Sequence, residues 1–133
     1  MSYEVEEPLP VGIWLSELRK LAESCANDNG DAEDRAVRRA FHFLKLSPRP
    51  IAARWDFGIT EDEIERMLDQ GRAQDAASEI IGGDAAIELS SSIDGPSHVA
   101  VLTYDEKLPV TAQAATPALA MIGAWAKFFS AAA

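Results

Sequence analysis

The sequence predicts an α+β fold, four or five helices packed around a small antiparallel β-hairpin, and its periodicity is what predicts it. Apolar residues recur at three- and four-residue steps between residues 11 and 81, then alternate singly around Ile87 and again from Val99 to Tyr104. Thr116-Pro117 opens a last helical stretch, so helices come first, strands next and a helix closes the chain. At 133 residues, 47% of them apolar and 26% charged, the chain is expected to form a single domain, 1–133. Residues 1–10 read as a flexible acidic N-terminus, 11–81 as mainly helical, and 84–130 as the hairpin with the C-terminal helix.

The first helix carries Val11, Trp14, Leu15, Leu18, Leu21, Ala22 and Cys25 on one face, with Glu17, Arg19, Lys20 and Glu23 on the other. Pro10 suits its first turn, and Asn27-Asp28-Asn29-Gly30 supplies residues that tolerate a left-handed stop. A second helix is expected from Asp31, with Ala36, Val37, Ala40, Phe41 and Leu44 inward, until Ser47-Pro48-Arg49-Pro50 ends it. Thr60 followed by Glu63 is a capping-box pattern for a helix through Ile64, Met67 and Leu68. Ala76, Ala77, Ile80 and Ile81 resume the helical period out of phase beyond Gly71, so two short helices or one bent helix both fit. Ile87, Leu89 and Ser91 alternate with Glu88, Ser90 and Ser92 as a half-buried strand, and Asp94-Gly95-Pro96 turns it into Val99–Tyr104. In the last helix Leu119, Ile122, Trp125, Ala126 and Phe129 share a face. The expected core includes Trp14, Leu18, Phe41, Ile64, Leu89, Val101 and Ile122.

Charge is the most informative functional feature. Twenty-two acids against twelve bases give a net charge of -10, yet Arg35, Arg38, Arg39, Lys45, Arg49 and Arg54 lie in a stretch, residues 35–54, that holds no Asp or Glu. Asp56 to Asp94, in contrast, carry eleven acids against Arg66 and Arg72. Such a density repels nucleic acid and attracts basic surfaces. Glu61, Asp62, Glu65 and Asp69 are therefore the candidate partner-binding face, and the six cations of 35–54 a candidate basic patch. That patch has two readings. Cations interleaved with Phe41-His42-Phe43 suit a phosphate-rich or acidic ligand, and arginine–carboxylate pairs with the 61–69 helix would neutralise the same cations internally.

Residues 51–70 also read as helix, Gly58-bearing turn and helix, with the hairpin as a wing. The would-be recognition helix holds Glu61, Asp62, Glu63, Glu65 and Asp69 against one Arg66, which phosphates would repel. Catalysis has few parts. His42 and His98 stand far apart, with no His-x-x-x-His, Cys-x-x-Cys or Gly-x-Ser-x-Gly spacing, and Gly82-Gly83-Asp84 lacks the Lys-Ser or Lys-Thr of a phosphate loop. No enzyme activity, cofactor or metal is expected. The lone Cys25 allows no internal disulfide, and MSYEVEEPLP lacks a cationic start and apolar run, so a cytoplasmic, non-membrane protein is expected.

The segment Ala114-Ala115-Thr116-Pro117-Ala118-Leu119-Ala120-Met121-Ile122, after a strand with Val99, Val101 and Tyr104, resembles the close of the phage ABA-sandwich domain family. The resemblance covers residues 60–130 and implies a small phage or prophage protein with helix, sheet, helix layering. Membership implies no activity. The function expected from all this is a non-catalytic acidic protein-binding module, such as a phage-type inhibitor (an anti-CRISPR or nucleic-acid mimic) of a host nucleic-acid-handling complex. A winged-helix DNA-binding regulator and an immunity protein neutralising a basic toxin are the alternatives. Its partner is a protein with a basic surface, duplex DNA being disfavoured; the oligomeric state is open.

Overall fold

A computed structural model describes residues 10–27, 32–46, 60–82, 85–91, 97–104 and 108–131. Along them run α1 (Val11–Asn27), α2 (Glu33–Lys45), α3 (Glu61–Asp69), α4 (Ala73–Ile81), β1 (Ala85–Ser91), β2 (His98–Tyr104), β3 (Val110–Ala114) and α5 (Pro117–Ala131). These five helices and an open antiparallel sheet of order β1-β2-β3 make an α+β fold.

Where the described residues include them, local end signals act as expected; Asp28-Asn29-Gly30, Ser47-Pro48-Arg49-Pro50 and Asp94-Gly95-Pro96 lie outside those residues. The Trp14 N–H donates to the Pro10 carbonyl, so α1 starts directly after the proline. Glu63 N–H donates to Thr60 Oγ1 at 3.2 Å, and the Thr60 hydroxyl donates to the Glu63 carboxylate at 3.2 Å. Leu119 N–H donates to Thr116 Oγ1 at 3.1 Å, capping α5 ahead of Pro117. Residues 61–81 form two helices. Gly71 has φ +71°, the Gly71 N–H reaches the Leu68 carbonyl, and the Arg72 N–H reaches the Met67 carbonyl. That pair of bonds is the Schellman arrangement, which closes α3 and needs a residue free to enter the left-handed region. α2 starts at Glu33, later than expected; Asp31 lies outside the described residues.

The centre of the molecule is α5. Every residue from Ala118 to Ala126 is buried, so the single face expected from Leu119, Ile122, Trp125, Ala126 and Phe129 understates a helix covered on all sides. α1 crosses it, β2 and β3 lie along another side, and α2 and α4 close the remainder. Small residues make the approach possible: a Cβ built on Gly123 would stand 3.4 Å from the Cβ atoms of both Ala112 and Cys25. Trp14, Tyr104, Trp125, Phe128 and Phe129 gather at its C-terminal half, with Trp14–Phe129 centroids 6.2 Å and Trp125–Phe129 centroids 5.7 Å apart. Among the described residues two buried long-range hydrogen bonds tie the layers. Trp14 Nε1 donates to the Phe43 carbonyl at 2.8 Å, and the Tyr104 hydroxyl donates to the Ile81 carbonyl at 2.8 Å.

The sheet corrects two expected core positions. Pairing of Ile87 with Leu102, Leu89 with Ala100, and Ala100 with Ala112 places these residues on one face. In β2 that face is Ala100, Leu102 and Tyr104, all buried, which leaves Val101 on the opposite, half-exposed face. β2 is apolar on both faces, so its hydrophobicity carries no parity. Leu89 does point to the helix side, but β1 packs chiefly on β2 and overhangs α5, leaving Leu89 40% exposed. Strand β3 extends the expected hairpin to three strands. Its alanines have low strand propensity, yet only side chains this small fit where Gly123 comes close.

Candidate functional site

α2 and α3 bring the cationic stretch and the acidic helix side by side. Because Ala36, Val37, Ala40, Phe41 and Leu44 face the core, helical spacing turns Arg35, Arg38, His42 and Lys45 outward, all exposed, with Arg39 half-buried. Ile64 and Leu68 anchor α3, and the steps Glu61, Glu65, Asp69 then form one flank beside that apolar seam. The two flanks meet in one two-pronged ion pair. Arg38 Nε donates to Glu65 Oε2 at 2.8 Å and Arg38 Nη2 to Glu65 Oε1 at 2.9 Å.

The hydrogen bond from Arg38 holds the Glu65 carboxyl below the usual glutamate range, and the same bond, with smaller contributions from Asp34 and Asp69, raises Arg38. Partial burial opposes both shifts. The side chains stay 48% and 40% exposed, so water screens the pair and its net contribution is about 1 kcal/mol or less.

Of the four acids expected to bind a partner, Glu65 is thus engaged within the chain, while Glu61, Asp62 and Asp69 are exposed with no ion pair to a described residue. α4 continues the acidic surface with Asp75 and Glu79 exposed; Arg72 Nε donates to Asp75 at 2.8 Å. On the basic side Arg38 is bound to Glu65. Arg39 lies 6.0 Å from the Phe43 ring centre and Lys45 lies 5.8 Å from that of Phe41. Phe41 and Phe43 are themselves buried, so neither offers an open ring on which a base could stack. Arg49, Arg54 and the first helix of the helix-turn-helix reading lie outside the described residues.

Tertiary pairing also makes a contact that spacing along the chain hides. Ser91 and His98 face each other across β1 and β2, with Ser91 Oγ 3.1 Å from His98 Nδ1. The only signal for it is the hairpin register. Among the described residues no carboxylate bonds the other ring nitrogen, and the pair forms a cross-strand hydrogen bond. Nearby, Ala26, Ser97, Gln113, Ala114 and Ala115 line an open groove of about 370 Å³, with no charged side chain among the described lining residues. Cys25 is buried. No group of three metal-ligating side chains occurs among the described residues, and no described helix is long and apolar enough to cross a membrane.

Compared with protein-family models, with curated proteins and with solved structures, the chain has no match.

Proposed function

We propose that this protein is a non-catalytic binding module whose acidic surface on α3 and α4 docks on a basic surface of another protein. The observation that carries this reading is the exposure of Glu61, Asp62 and Asp69, with no ion pair to another described residue, on a helix held firmly by Ile64 and Leu68. Charges on a rigid helix keep a fixed spacing, which favours fast, salt-sensitive encounter with a complementary surface. A phage-type inhibitor that occupies the nucleic-acid groove of a host complex, as an anti-CRISPR or nucleic-acid mimic does, fits this charge and the resemblance of residues 60–130. An immunity protein against a basic toxin would use the same face. The DNA-regulator reading is weaker: α3 is acidic where a recognition helix needs cations, and the hairpin that would serve as its wing has its second strand, β2, at the centre of the sheet, packed on α5.

The test is a triple reversal, Glu61→Lys, Asp62→Lys and Asp69→Lys, leaving Glu65 to hold Arg38. Stability should change by about 0.5 kcal/mol or less, as for exposed charges, while capture of the partner from the native host falls at least tenfold. Unchanged capture would remove the docking reading.

A further inference from the structure

We infer that the free edge of β1 is a second contact surface, which takes an extended, lysine- or arginine-bearing segment of a protein partner as a fourth strand of the sheet. In the described residues the sheet ends at β1, seven residues long, with no Pro and no Lys to block the addition of another strand. The opposite edge is handled differently. There Lys127 Nζ donates to the Thr111 carbonyl of β3 at 2.7 Å, placing a cation on that strand's backbone. β1 also overhangs the helix layer, so a strand laid beside it would cover Leu89, 40% exposed, and the half-buried Ile87 on the same face.

Charge selects the occupant. Residues 73–106 contain Asp75, Glu79, Asp84, Glu88, Asp94, Asp105 and Glu106 and no Lys or Arg, and Glu88 projects from the outer face midway along β1. A second copy pairing β1 antiparallel with β1 would bring Glu88 close to its own counterpart. A segment alternating cationic and apolar residues meets both needs: its cations lie opposite Glu88 and its apolar side chains cover Ile87 and Leu89. The assignment rests on the acidic docking reading and adds to it the shape of the ligand, an extended strand instead of a folded basic surface alone.

The probe is the peptide Ac-Lys-Val-Lys-Val-Lys-Val-Lys-NH2, added to the full chain while amide hydrogen exchange is followed by NMR. The expected result is slowed exchange at alternate amides of β1, with unchanged β2 amides showing that the fold is intact. Binding should weaken at least tenfold in Leu89→Lys and in Glu88→Lys, and hardly change in Glu23→Lys, an equal charge reversal at an exposed position of α1. Three results would overturn it: protection at α3 with none at β1, protection of β1 that grows with protein concentration in the absence of peptide, or no protection anywhere. The outcome is separable from that of the docking reading, because partner capture by the α3 triple reversal is read independently of any change in β1.

Discussion

Two tryptophans show how a buried polar atom decides the effect of a substitution. Trp14 is 1% exposed and its indole N–H reaches the Phe43 carbonyl, whereas Trp125 is 0% exposed and its Nε1 has no hydrogen-bond partner among the described residues. An unsatisfied buried donor costs roughly 1 to 3 kcal/mol. Trp125→Phe removes that penalty while giving up part of the ring, so it should change stability little; Trp14→Phe should lose the same part of the ring and also its hydrogen bond, at about 2 kcal/mol or more. Thermal melts in the reverse order would mean that the Trp125 N–H finds an acceptor after all. Leu89 and Leu102 form a second comparison. Leu102 is 1% exposed over α5, so Leu102→Ala should cost about 2 to 5 kcal/mol, while Leu89→Ala on the overhanging edge should cost less than about 1 kcal/mol. Equal losses in urea titrations would show that something covers Leu89.

Between elements, the Arg38–Glu65 pair is the device whose contribution depends on pH. Glu65 has its folded-state pKa depressed by Arg38, so the unfolded chain takes up this proton first as pH falls. The pair's stabilisation is therefore fully present above the unfolded value, near pH ~4.3, and is lost as pH falls through the lower folded value. Arg38 is raised and stays charged throughout, so it adds no dependence of its own in this range. Glu65→Gln should melt lower than the parent at neutral pH, by no more than about 1 kcal/mol, and the gap should close in acid. A gap that widens on acidification would contradict the assigned pair. The charge pattern of α2 and α3 made such a bridge one of two readings of the basic stretch, but which arginine meets which glutamate depends on the crossing of the helices. Spacing alone could not choose among Arg35, Arg38 and Arg39.

Across the whole molecule, net charge outweighs the local basic stretch. With -10 overall, Arg38 engaged, and acids exposed along α3 and α4, the protein should not bind duplex DNA measurably at about 0.15 M salt, where fields fade over about 8 Å. A gel shift at that salt with micromolar affinity, abolished by Arg38→Ala with Arg39→Ala, would overturn this and favour the regulator reading. The α+β class follows from the same sequence at the same scale, since periods of helix and strand are properties of successive residues.

Short-range chemistry is what residues read one after another could specify: the Thr60 and Thr116 caps, the apolar stripes of α1 to α4, and the separation of charge between 35–54 and 56–94; whether the chain breaks or bends at Gly71 stayed open. Each depends on residues a few positions apart. Long-range geometry settled the rest. Ala112 becomes part of a strand because it pairs with Ala100 of β2, Val101 faces outward because β2 shows α5 its even-numbered side, and Leu89 remains exposed because β1 runs past the helix beneath the sheet. Ser91 meets His98, and Arg38 meets Glu65, only after elements far apart in the chain have packed. A periodic pattern states that a side chain turns toward a neighbour, and the shape and reach of that neighbour decide whether it is covered, paired or left open.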